Sequence, residues 1–263
     1  MRRMRSAKCS SEQMGGEMKT LASYRHAAIA APLFFLVLAP ATAQVVLPPG
    51  GYIRVEAGMG IHTKQVFIDR TPDAENCSLC NSNFPVTIDD SAILGANVGT
   101  RFTENLRADI GIDYLTSSTL KGYNSLEMPS SGSAKLDSFV ALLNGYVDFP
   151  ELPGGLVGPF VPYVTVGLGL AHHDLGRLAG AAPGGAFSIS GANRTNFAYA
   201  VGAGLSYPLS PLLTADVQYR YLDLGSLNTG TALTEGGPPV QVTAAKTGSI
   251  AVHAVTIGIR FGF

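Results

Sequence analysis

Between Tyr52 and Phe263 the chain alternates apolar and polar residues with a period of two, in eight separate segments. That period puts one set of side chains on each face of an extended strand. In 52–61, Ile53, Val55, Ala57, Met59 and Ile61 share one face, against Arg54, Glu56, Gly58 and Gly60. In 92–102, Leu94, Ala96, Val98 and Phe102 oppose Gly95, Asn97, Gly99 and Arg101. The third segment, 106–114, is the cleanest, with Leu106, Ala108, Ile110, Ile112 and Tyr114 opposite Arg107, Asp109, Gly111 and Asp113. The fourth, 138–149, sets Phe139, Ala141, Leu143, Val147 and Phe149 against Ser138, Asn144, Tyr146 and Asp148. Val140 and Leu142 on its polar face weaken the alternation there. The remaining segments are 161–171, 196–207, 212–222 and 252–263; the last carries Val255, Ile257, Ile259, Phe261 and Phe263 against Thr256, Gly258, Arg260 and Gly262.

The connections alternate in length. Long ones span 62–91, 115–137, 172–195 and 223–251; short ones span 103–105, 150–159 and 208–211. Segments of this length match the ~9–11 residues that a tilted strand needs to cross a bilayer. The pattern predicts an all-β fold, an eight-stranded antiparallel up-and-down transmembrane β-barrel. Three short turns and four long loops place both chain ends on the short-turn side, the periplasmic one. The long loops, rich in Gly, Ser, Thr, Asn and Pro, are expected to be mobile and surface-exposed.

A soluble barrel also alternates, with its apolar face inward. Three features favour the membrane. The polar faces hold no lysine: Lys64, Lys121, Lys135 and Lys246 fall in the long loops. Those faces are rich in small residues and carry a balanced set of charges, suited to a narrow lumen. The set is Arg54, Arg101, Arg107, Arg220 and Arg260 with Glu56, Asp109, Asp113, Asp148 and Asp216. The apolar faces end in aromatics: Phe102, Phe149, Tyr207, Phe261 and Phe263 at one boundary, and Tyr114, Phe139, Phe197 and Tyr221 at the other. Such girdles belong to membrane barrels.

The N-terminal region reads differently. Residues 27–39 form an apolar run preceded by Lys19 and Arg25 and followed by Ala41-Thr42-Ala43. The run is too short to span as a helix. It has the form of a secretory signal over residues 1–43, cleaved before Gln44, with 44–263 as the barrel domain. Met18 is an alternative start, because residues 1–17 look unlike a signal. Without 1–43 the chain keeps 12 basic and 17 acidic side chains, a net charge of −5. That excludes a nucleic-acid partner, which needs a basic footprint.

Several stretches resemble the opacity-protein/OmpA-like family of small outer-membrane barrels. They are Leu143-Asn144-Gly145-Tyr146-Val147-Asp148-Phe149, Pro162-Tyr163-Val164 with Gly167 and Gly169, Tyr219-Arg220-Tyr221-Leu222-Asp223-Leu224-Gly225, and the closing Ile257-Gly258-Ile259-Arg260-Phe261-Gly262-Phe263. The resemblance covers residues 50–263. It implies that Ile259, Phe261 and Phe263 are the signal read by the barrel-assembly machinery. It also implies an outer-membrane location, with lipid and lipopolysaccharide around the barrel.

Chemistry-bearing motifs are few. Cys77-Ser78-Leu79-Cys80 falls in the first long loop, where an exported chain favours a disulfide; half a metal site is the alternative. His172-His173-Asp174 reads as a solvated loop entrance more readily than as a metal site. The Gly-x-Gly pairs at 167–169 and 202–204 lie inside strands, so they make room for interior side chains and cradle no nucleotide. On the lipid-facing side, His253 with Ser249 is the only candidate for a lipid-modifying enzyme, and it lacks an evident acid. The inner charges are a structural ion-pair network or the lining of a narrow pore. The reading is a non-catalytic barrel without cofactor, serving envelope integrity and surface interaction, with a narrow porin-like channel as the alternative. The loop ligand is not legible.

Overall fold

A computed structural model describes residues 50–68, 83–124, 130–150, 159–182, 185–242 and 244–263, all within the compact unit Val46–Phe263. The signal segment 1–43, and Cys77 and Cys80, lie outside the described residues. The strands in chain order are β1 (Gly51–His62), β2 (Gln65–Ile68), β3 (Asn83–Ile88), β4 (Ser91–Arg101) and β5 (Leu106–Asn124). There follow β6 (Ser130–Asp148), β7 (Val161–Leu175), β8 (Leu178–Ala182), β9 (Gly185–Ile189) and β10 (Ala192–Pro208). The last are β11 (Leu213–Asn228), β12 (Ala232–Thr234), β13 (Val240–Gln241) and β14 (Lys246–Gly262).

Eight of these form a closed antiparallel ring. β1 pairs with β4, β4 with β5, and the ladder continues through β6, β7, β10, β11 and β14. β14 then pairs back onto β1, with Val55 opposite Ile259 and Ile53 opposite Phe261. Closure leaves no unpaired edge in the ring, which a chain in lipid requires. The faces sort as the alternation predicts. Val55, Leu94, Ile110, Leu143, Val166, Val201, Val217 and Ile257, one on each ring strand, all point outward and are exposed. Phe102, Phe149, Phe160, Tyr207, Phe261 and Phe263 are exposed near the short-turn end.

The short turns are built from side-chain acceptors. Thr103 Oγ1 accepts from the amides of Asn105 and Leu106 at 3.2 and 3.0 Å. Ser210 Oγ does the same for Leu212 and Leu213 at 3.3 and 3.1 Å. A hydroxyl that satisfies turn amides replaces the ladder partner lost where the chain reverses.

The other end departs from expectation. Much of the predicted loop sequence is strand: β5 and β6 are 19 residues each and stay paired from Leu106–Val147 to Asn124–Ser130. At ~3.3 Å per residue such a strand is about 60 Å long, well beyond what lipid requires. β2 and β3 join β14 to β5, and β8 and β9 extend from β6 toward β12. One face of these extensions is buried, with Val86, Ile88, Leu120 and Ala134 in the core, and their backbone groups still pair.

The lumen also departs from expectation. Its outer half is apolar, filled by Ile93, Leu115, Leu136, Leu142, Leu222 and Val252 among others, all at most slightly exposed. β5 reaches this layer through an irregularity between Leu115 and Ser118. There the inward set changes from odd residues (Asp109, Gly111, Asp113, Leu115) to even ones (Ser118, Leu120). One extra residue in a ladder re-aims every side chain beyond it.

Candidate functional site: the charged lumen

The inward positions of β1, β4, β5, β6, β11 and β14 nearest the short turns carry the predicted charges. At their centre, Glu56 is ion-paired with Arg54 Nη2 at 2.9 Å through Oε2 and with Arg220 Nη2 at 3.1 Å through Oε1. Thr256 Oγ1 donates at 2.6 Å to Oε2, the oxygen that also meets Arg54. Arg54 reaches on to Asp216 at 2.6 Å, and Arg220 to Asp113 at 3.0 Å. The row Asp216–Arg54–Glu56–Arg220–Asp113 therefore runs from β11 to β1, back to β11 and across the lumen to β5. Every member is buried. Charges in such a place persist only when paired and hydrogen-bonded.

The backbone around this row is glycine by necessity of space. A Cβ on Gly258 would meet Arg54 Nε at 2.9 Å and Asp216 Oδ1 at 3.0 Å; one on Gly95 would meet Glu56 Cγ at 2.7 Å. The glycines at 167 and 202 likewise stand against interior side chains, those of Asn144 and Arg220.

Nearer the short-turn mouth, Arg107 and Arg101 share Asp148 at 3.1 and 3.2 Å. The Arg107 guanidinium carbon lies 3.7 Å from the Tyr146 ring centre and 4.8 Å from that of Tyr163, a cation–π cage. These tyrosines, with Tyr52, stand at polar-face positions. Parity alone could have assigned them to the lumen.

The network is balanced in number but not in space. Among the described residues Asp109 pairs with no cation; it accepts from Tyr52 Oη at 2.9 Å, Asn144 Nδ2 at 2.8 Å and Tyr146 Oη at 3.3 Å. Arg260 forms no ion pair among the described residues, and only Ser206 Oγ accepts from it, at 3.3 Å. Arg101 is also less internal than expected, its side chain 44% exposed at the rim. The pairing of all ten predicted charges thus needs correcting at Asp109 and Arg260, whose nearest polar partners are neutral.

His172-His173-Asp174 does not open a loop. It lies within β7, and alternation splits it: His172 and Asp174 point outward, while His173 is 0% exposed inside. Ser138 Oγ and His173 Nδ1 are 2.7 Å apart, and His173 Nε2 donates to the Leu224 carbonyl at 2.9 Å. This interior link between β7 and β11 reaches past β10, where inward Ala198 and Ala200 are small. On the outer face, Ser249 donates to Asp223, and His253 Nδ1 pairs with Tyr219 Oη at 2.7 Å. Asp223 is the acid that sequence left unseen, but Ser249 and His253 have different partners and form no relay with each other.

Ile259 and Phe261 on the outward face of β14, and Phe263 just beyond its end, are exposed. A model of the outer membrane protein beta-barrel domain matches residues 29–262. The chain belongs to this outer-membrane β-barrel family. Its outer-membrane barrel character explains an apolar exterior around a lumen that is charged in its short-turn half. An uncharacterized protein of Brucella abortus is 28% identical over 204 residues, covering 65% of this chain and 68% of that one. A Rickettsia conorii protein named provisionally as an adhesin is 29% identical over 217 residues, covering 80% of this chain and 81% of that one. Among solved structures, OprG of Pseudomonas aeruginosa is 15% identical, with a TM-score of 0.49, covering 81% of this chain and 96% of that one.

Proposed function

We propose that this outer-membrane barrel is a non-catalytic wall of the envelope whose work is done by the strands raised above its outer mouth. The observation that carries the reading is the two-layer filling of the lumen. Arg54, Arg107 and Arg220 are each at most 2% exposed, and an apolar layer lies beyond them. A lumen filled this way offers a solute no continuous wet path, and eight strands leave little room beyond side chains. Interaction then falls to the extended β5–β6 hairpin and its neighbours. The Rickettsia relative's name points the same way. In this reading the short-turn mouth faces the periplasm, lipid and lipopolysaccharide surround the barrel, and Ile259, Phe261 and Phe263 are what the assembly machinery reads.

The test is conductance in a planar bilayer. A structural wall gives no stable, discrete steps; regular steps overturn it. Protease treatment of intact cells tests the orientation, with cuts expected only in the segments beyond the long strands.

A narrow channel is the second reading, and the sharing of Glu56 by two arginines favours it. A carboxylate that can exchange partners could open one side of the row. Under this reading Glu56→Gln raises conductance; under the first it leaves the bilayer silent.

A further inference from the structure

We propose that the mouth at which β1 begins and β14 ends is a binding site for a small phosphate-class oxyanion, with Arg260 as its principal ligand. A cavity of about 500 Å³ opens there, lined among others by Tyr52, Arg101, Ser206, Thr214 and Arg260. Arg260 is only 6% exposed, yet among the described residues its Nη1 has no hydrogen-bond partner and Nη2 has only the Ser206 hydroxyl. Guanidinium groups withdrawn from water are ordinarily met by a carboxylate or another charged acceptor. Among the described residues, the inward side-chain carboxylates near this one are committed elsewhere, and Phe263, which also lines the cavity, makes no ion pair with it. Asp148 is held by Arg107 and Arg101, and Asp216 by Arg54. Asp109 takes three neutral donors instead.

The strand register adds to the imbalance. Arg260 stands directly opposite Arg54, so two cations face each other across the β1–β14 seam. Like charges so placed repel unless counter-charge is supplied. Arg54 has its carboxylates; Arg260 does not. The Tyr52 ring, 5.5 Å from the Arg260 guanidinium carbon, forms a neutral wall beside it. Glu104 also lines the cavity but is exposed at the rim. Arg101 offers a second guanidinium at that rim.

The donor set suits an oxyanion with several acceptor oxygens. A planar guanidinium gives two parallel bonds to phosphate, the rim arginine adds charge, and the hydroxyls of Ser206 and Thr214 are further donors. A halide cannot use the fork. The site needs no opening of the lumen, so it stands whether or not the barrel conducts.

The experiment is titration of the full chain in detergent micelles with inorganic phosphate, at constant ionic strength set by chloride, followed by calorimetry and ³¹P line broadening. One saturable site is expected. Arg260→Gln should weaken it by about tenfold or more, the scale of a lost charge-assisted hydrogen bond. Arg260→Lys should restore part of the affinity. Heat-dependent gel mobility checks that each variant is folded. If Arg260→Gln does not fold, Arg101→Gln and Ser206→Ala carry the test, and each should weaken binding. Absence of saturable binding by the unaltered chain, or affinity unchanged in the folded variants, overturns the site.

Discussion

Glu56 holds Arg54 and Arg220 at once, at 2.9 and 3.1 Å, through its two separate oxygens. One carboxylate therefore joins two guanidinium groups that would otherwise repel in a dry interior. Replacing it with Ala leaves Arg54 only Asp216 and Arg220 only Asp113, and removes the counter-charge between the two. Removing one member of a buried pair costs about 3–5 kcal/mol. Glu56→Ala should lower the urea midpoint of the refolded barrel accordingly, and Glu56→Gln, which keeps the Thr256 contact, should cost less. Equal stability of all three would mean the row is not load-sharing.

Ser138 and His173 form a neutral counterpart in the apolar layer. His173→Phe leaves the Ser138 hydroxyl and the Leu224 carbonyl without partners, at about 1–3 kcal/mol for an unsatisfied buried group. Adding Ser138→Ala should recover part of that loss, since it removes one orphan. A double-mutant cycle in chemical denaturation measures the recovery, and simple additivity would contradict the bond.

Ile257 points outward from the middle of the membrane-facing run on β14. Ile257→Arg should destabilise the barrel in lipid by roughly 2–4 kcal/mol, the scale for a cation at the bilayer midplane. Lys121→Arg, on a β5 position beyond the lipid, should be neutral. Comparable denaturation profiles for the two would invert the assignment of faces.

Phe261 lies on the same outward face as Ile257 and Phe263 is exposed just beyond the end of β14, so their loss costs contact with lipid in any case. If the assembly machinery reads them, Phe263→Ser should reduce the folded fraction in cells far more than the refolding yield from urea into detergent. Quantifying heat-modifiable protein from both sources separates the effects; equal losses argue for a lipid contact alone.

The eight ring strands were legible because each has one face in lipid and one in a polar lumen, so parity alone separates the residues. Legibility ended where that contrast ended. Leu136, Val140 and Leu142 point inward like Asn144, yet they are apolar, because the outer lumen is closed by packing instead of charge. The irregularity between Leu115 and Ser118 shifts parity within one strand, so extending the clean run past Tyr114 by pattern would have misplaced Leu120. His173 read as loop because β7 continues beyond the lipid boundary. For the charges, sequence supplied the inward set but not the partners. Those depend on which strands face one another across the ring, as with Asp113 of β5 and Arg220 of β11.

The β1–β14 seam has a kinetic consequence. Thr256 and Glu56, bonded across it, are 200 residues apart in the chain. Joining such distant segments costs about 5 kcal/mol of chain entropy beyond the constant term of loop closure. Interactions so remote in sequence repay that cost only when the intervening hairpins are already in place. The seam should therefore form last and in one step. The half-made barrel must wait with two open edges, one at the first strand and one at the strand ending in Phe261-Gly262-Phe263, and protecting those edges is the task that assembly has to perform.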